Sequence, residues 1–93
     1  MIRSISIVFP CYNEASRLKY TFNDIKKFQE KKITNNFEII FVNDGSSDNT
    51  FQILKKYKNE NAKLNKKIKI ISYQNNKGKG YALKKGIMIA KYD

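Results

Sequence analysis

Tyr12, Asn13, Glu14, Asp44 and Lys79 are the residues of this 93-residue chain whose types and positions together suit a ligand. A carboxylate such as Asp44 only accepts hydrogen bonds, so it fits a nucleobase edge that presents N–H groups, or ribose hydroxyls. An aromatic ring such as Tyr12 can stack on a base. Lys79, with the backbone amides of Gly78 to Gly80, can meet a diphosphate. Other chemistries are closed to these residues. There is no histidine and a single cysteine, so zinc sites and Cys–His or Ser–His catalysis are out. A dinucleotide fingerprint needs G-x-G-x-x-G after the first strand, whereas Gly78-x-Gly80 follows the third strand pattern and Leu83 stands where the last glycine belongs. No G-x-x-x-x-G-K-[ST] string exists either. The remaining description is a nucleotide site without either of these phosphate loops.

The elements that position these residues are legible in the apolar pattern. Ser4-Ile5-Ser6-Ile7-Val8-Phe9 reads as a first strand ended by Pro10, which cannot donate to a ladder. Met1-Ile2-Arg3 leads into it and does not resemble a signal peptide. From Ala15 to about Lys31, Leu18, Phe22, Ile25 and Phe28 form a helical stripe. Phe37 to Val42 is read as an apolar run without polar alternation, the mark of a strand covered on both faces of a parallel sheet. It empties into Asn43-Asp44-Gly45-Ser46-Ser47-Asp48, where Gly45 gives the freedom for a sharp turn and Ser47 or Asp48 can cap the next helix. That helix runs from about Asn49 to Lys58, with Phe51, Leu54 and Tyr57 on one side, and a polar, solvent-exposed connection covers 59–67. A third strand, Ile68 to Tyr73, alternates only partly, as befits the sheet edge. Leu83, Ile87 and Ala90 mark the inner stripe of a last helix, in which Gly86 signals close packing.

The fold class is therefore α/β, in the order β-α-β-α-β-α. A parallel sheet with right-handed crossovers puts the loops 10–14, 43–48 and 74–80 on one edge, where open α/β sheets bind their ligands. Each residue also has a plainer reading. Asp44 can be a turn residue bonding its own backbone, Tyr12 a surface aromatic, and Glu14 an acid favoured by a helix dipole. Asp48 reads as a helix cap and Cys11 as a small, partly buried side chain. Of Lys77, Lys79, Lys84 and Lys85, Lys79 alone is assigned a role; the rest read as a solvated face.

The motifs Phe9-Pro10-Cys11-Tyr12-Asn13-Glu14, Val42-Asn43-Asp44-Gly45-Ser46-Ser47-Asp48 and Asn76-Lys77-Gly78-Lys79-Gly80, with Ala82 and Gly86, resemble in order and spacing those of family-2 glycosyltransferases of the GT-A fold. The resemblance is strongest to the dolichyl- and polyprenyl-phosphate hexosyltransferases and covers nearly the whole chain. It implies transfer of a hexose from a UDP- or GDP-sugar to an acceptor, a polyprenyl phosphate or a cell-surface glycan. It implies further that Pro10, Tyr12 and Glu14 border the base and ribose, that Asp44 accepts from the base, and that Lys79 lies near the crevice. A divalent cation, Mg or Mn, is expected in the full-length enzyme through an Asp-x-Asp motif that these residues lack; Asp93 is not its first aspartate. The chain is thus expected to be one incomplete domain, 1–93, the nucleotide-binding half of a transferase and inactive alone. The alternatives are a non-catalytic nucleotide-binding module and a basic nucleic-acid-binding domain.

Composition bounds these readings. Lys plus Arg total 19 against 8 Asp plus Glu, a net charge of +11, which admits acidic ligands, nucleic acid and anionic membranes. Only Arg3 and Arg17 are arginines, the residue on which bidentate phosphate and base recognition leans, so nucleic acid is not expected as a partner. A lone cysteine fits a reducing compartment, and a cytoplasmic location is expected, with the cytoplasmic face of the membrane as a variant. The chain stops straight after a helical pattern, which reads as a fragment boundary, so self-association is expected as well.

Overall fold

The computed structural model describes residues 4–92; the readings placed on residues 1–3 and on Asp93 lie outside them. Strands β1 (Ile5–Cys11), β2 (Phe37–Asp44) and β3 (Ile68–Tyr73) alternate with helices α1 (Leu18–Glu30), α2 (Thr50–Glu60) and α3 (Lys79–Ile89). The sheet is fully parallel in the order β1-β2-β3, with Ile5 opposite Phe37 and Ile39 opposite Ile68. This is the expected α/β architecture. β2 is buried along its whole length because it has a strand on either side and helices on both faces.

Side-chain alternation sorts β2 into two cores. Phe37, Ile39 and Phe41 face α1 and α2 and pack with Leu18, Ile25, Leu54, Leu64 and Ile68. Ile40 and Val42 face the other way, onto Ala82 of α3. The first core is largely aromatic: Phe41 stacks on Phe9 at 5.5 Å, and Phe22 of α1 stacks on Tyr57 of α2 at 3.7 Å, which ties the two helices together.

Three expectations are corrected. β1 runs through Pro10 to Cys11 instead of stopping at Phe9, with Pro10 opposite Val42. The Ile5 N–H donates to the Asn36 carbonyl at 3.0 Å, so odd positions of β1 point their amides at β2 and Pro10 turns its missing donor to the side away from β2, which carries no strand among the described residues. The connection before β3 is not simply solvated. α2 continues to Glu60, and Leu64 is buried in the core just before a 3-10 turn, Asn65–Lys67. Ile87 is not on the inner stripe of α3. It is 65% exposed, and the helix meets the sheet through Ala82 and Gly86 instead. A Cβ on Gly86 would stand 2.3 Å from a Val8 methyl, so the smallest residues set how closely α3 approaches, as Gly86 suggested.

Glu38 interrupts the run read as apolar, and its place explains how a charge sits in β2. It is 4% exposed at the amino-terminal end of the sheet. The Ser6 hydroxyl donates to it at 2.6 Å, the Lys69 ammonium pairs with it at 2.9 Å, and the Lys91 N–H also donates. The Tyr92 N–H then donates to Ser6 Oγ at 2.9 Å. One carboxylate thereby joins all three strands to the segment after α3. Burial alone would raise its pKa, but Ser6, Lys69 and Lys91 outweigh that and hold it down to about 2. A folded pKa below the ordinary 4.5 means that Glu38 contributes stability above about pH 4.5 and loses it as pH falls toward 2. Urea unfolding of Glu38→Gln should show a loss of about 1–2 kcal/mol at pH 7 and a shallower decline between pH 5 and 2 than the parent chain.

Candidate functional site: a cleft at the carboxyl ends of the strands

β1, β2 and β3 end on the same edge, at Cys11, Asp44 and Tyr73. The loops that leave them enclose a cleft of about 490 Å³, lined by Pro10, Tyr12, Glu14, Asp44 and Lys79. Five of the six candidate residues therefore meet in one place, and Asn13 does not line it. Cys11, Asn76 and Gly78 line it too; the sequence reading had given neither Cys11 nor Asn76 a place there. The volume lies within the range of small-molecule sites.

Asp44 anchors the third loop. Its carboxylate is 2% exposed. Oδ1 accepts from the Lys77 N–H at 2.8 Å, and Oδ2 accepts from the Asn76 side-chain amide at 2.8 Å and the Gly78 N–H at 2.9 Å. The Asn76 amide also donates to the Asp44 carbonyl at 3.1 Å. Asp44 thus holds the loop that carries Lys79, more than the turn of its own backbone. Burial would raise its pKa, but the Lys77 N–H, the nearby Tyr73 hydroxyl and the Gly78 N–H outweigh it and leave it below the usual carboxylate range. The Tyr73 hydroxyl faces this charge without a hydrogen bond of ordinary geometry, and burial beside Asp44 pushes its own pKa up. The carboxylate is therefore ionised at neutral pH.

The loop's path depends on two glycines. Gly45 has φ +64°, and a Cβ there would meet Asn76 N at 2.4 Å and Asn75 C at 2.5 Å. Gly78, at φ +96°, turns its N–H onto Asp44 just before Lys79 opens α3.

The first loop is tied to the second. The N–H groups of Asn13, Glu14 and Ala15 donate to Ser46 Oγ, Thr50 Oγ1 and Asp48 Oδ2, at 3.0, 3.0 and 3.2 Å. In return Asn13 Oδ1 accepts from the Ser47 N–H at 2.8 Å and the Asp48 N–H at 3.3 Å. Asp48 accepts the Thr50 N–H at 3.0 Å from one position before Asn49, the residue at the helix cap, so it serves the start of α2 much as expected. Ser47 does not act as the cap. Asn13, placed in the crevice by its sequence position, works instead between the loops.

Tyr12, 47% exposed, stands at the cleft's mouth. Glu14 forms a two-point pair with Arg17, at 2.7 and 3.0 Å. Cys11 is buried and donates to the Phe9 carbonyl, and burial with the Glu14 charge pushes its thiol up to about 12, so it stays protonated and unreactive at neutral pH. Among the described residues no three His, Cys, Asp or Glu side chains come together. The described residues thus do not by themselves assemble a ligand set for a divalent cation. No helix among them is long and apolar enough to cross a membrane.

Residues 6–93 match the profile of Glycosyl transferase family 2. The chain belongs to that family. Its similarity extends to the dolichyl-phosphate beta-glucosyltransferase of Saccharomyces cerevisiae, 39% identical over 85 residues, which takes in 90% of this chain and 25% of that protein. The poly-beta-1,6-N-acetyl-D-glucosamine synthase of Staphylococcus aureus is 37% identical over 93 residues, 99% of this chain and 20% of that one. Among solved structures, the crystal structure of S. aureus TarS 1-349 superposes with a TM-score of 0.74 at 26% identity, over 96% of this chain and 25% of that one. This family-2 chain thus spans a quarter or less of the curated relatives it matches.

Proposed function

We propose that the cleft receives the nucleotide of a nucleotide-sugar, and that the longer protein transfers a hexose from it to a polyprenyl phosphate or a cell-surface glycan. The observation that carries this reading is the meeting of Pro10, Tyr12, Glu14, Asp44 and Lys79 in one cleft of a family-2 chain. Tyr12 stacks on the base, and Pro10 and Glu14 border base and ribose. Asp44 Oδ1, with one loop donor, accepts a base N–H, from uracil or guanine. Lys79 and the amides that open α3 lie toward the diphosphate, whose negative charge they offset as it departs from the anomeric carbon under attack by an acceptor oxygen. Any divalent cation takes its ligands outside the described residues. The chain alone binds and does not turn over.

Calorimetric titration of the chain with UDP, GDP and their sugars tests this. One base series should bind, and Tyr12→Ala, which removes an exposed ring, should weaken it at least about tenfold through lost stacking while the melting temperature holds. If no nucleotide binds, or Tyr12→Ala binds as the parent does, the reading fails. Salt-dependent binding to arbitrary DNA would instead favour a basic nucleic-acid domain.

A further inference from the structure

Asn13 lies between two residues of the cleft yet does not line it. Its φ is +49°, a left-handed conformation that asparagine tolerates better than most side chains. That conformation lets the amides of Asn13, Glu14 and Ala15 reach Ser46, Thr50 and Asp48 in turn. The same residue's Oδ1 reaches back to the Ser47 and Asp48 N–H groups, with the Ser47 hydroxyl at 3.3 Å. Every bond of this set crosses from the loop after β1 to residues 46–50, which lead into and open α2. None involves the side chains of Tyr12 or Glu14, two residues that line the cleft.

We infer that Asn13 is a positioning residue for the cleft, its backbone turn and its side-chain acceptor clamping the first loop to the start of α2 so that Tyr12 and Glu14 face the ligand. The inference deepens the nucleotide reading and rests on it. The clamp acts before a ligand arrives. Without it, ligand binding must also order the loop, and affinity falls by that cost.

Three variants separate its parts. Asn13→Gly keeps the backbone turn and loses the acceptor, Asn13→Ala loses both, and Asn13→Asp keeps both. Titrated with UDP and GDP, Asn13→Ala and Asn13→Gly should bind about tenfold more weakly, and Asn13→Asp within about threefold of the parent. Amide hydrogen exchange gives a second measure that needs no ligand. Residues 14, 15, 47 and 48 should exchange about tenfold faster in Asn13→Ala, be restored in Asn13→Asp, and leave β2 unchanged. A residue that only stabilised the fold would speed exchange throughout and leave affinity untouched well below the melting temperature. Equal affinity in Asn13→Ala and the parent overturns the inference. If the parent binds neither nucleotide, the functional reading falls by itself, and the exchange data decide the clamp: unchanged loop amides would overturn it, selective loosening would uphold it.

Discussion

Replacing Gly45 with alanine is expected to cost the fold about 2–5 kcal/mol, a large part of the stability of a domain this size. Two effects add. A left-handed residue with a Cβ costs about 1–2 kcal/mol, and Gly45 has φ +64°. The new methyl would also stand 2.4 Å from Asn76 N, 2.5 Å from Asn75 C and 2.9 Å from Gln74 O. All three are backbone atoms, so the third loop must move as a whole, and overpacking adds about 1–3 kcal/mol. Because Asp44 holds that same loop, relief of the clash breaks its hydrogen bonds. Gly80→Ala is the matched control, since nothing lies within 4 Å of a Cβ there and the residue is already in α3. It should be neutral or gain up to about 1 kcal/mol. Urea unfolding of the two variants checks the contrast.

Asp44→Ala should be comparably severe, about 3–5 kcal/mol, because it removes the acceptor for the Lys77 N–H, the Gly78 N–H and the Asn76 amide together. Asp44→Asn keeps the shape and one acceptor but sets an NH2 group against donors, so a loss of about 2–3 kcal/mol is expected. The pH dependence separates charge from shape. The folded pKa lies below the model-peptide 3.8, so the contribution is complete above pH 3.8 and fades as pH falls through the lowered value. In Asp44→Asn that part of the acid decline should vanish, which unfolding curves from pH 6 to pH 2 would reveal. Both variants should also lose nucleotide affinity at pH 7. A stable Asp44→Ala chain with an unchanged melting temperature would show that the loop is held some other way.

How much of this could be read from the sequence depends on how local each cause is. Phe37 to Val42 announced a central strand because burial on both faces suppresses alternation along the strand itself. Gly86 betrayed close packing because a helix interior rarely tolerates glycine without cause. The convergence of the three loops followed from the order of the elements. Pro10 was misplaced because its tolerance depends on which side of β1 carries a partner, a property of the sheet. Ile87 was assigned inward because the stripe rule favours large apolar residues, whereas a helix lying tight on Val8 and Val42 favours small ones. Glu38 passed unnoticed within an apolar run because Ser6, Lys69 and Lys91 are remote in sequence. Of the site, the residue types were legible and their division of labour was not. Nothing in the spacing of Asn13 and Ser47 says that one holds the other.

The parallel arrangement also governs how the chain must assemble. Each residue of β1 pairs with one thirty-two positions later, and each of Ile39–Asp44 in β2 with one twenty-nine positions later. No strand pair can form as a hairpin, so every rung of the sheet waits for a crossover to close and pays its loop entropy first. α1 and α2 can form locally within about a microsecond, well ahead of the pairing they bridge. β2 is the common partner in both pairings, so until it docks, β1 and β3 have no strand to join among the described residues. Folding should accordingly be slower than that of a helical chain of the same length, with the central strand setting its pace.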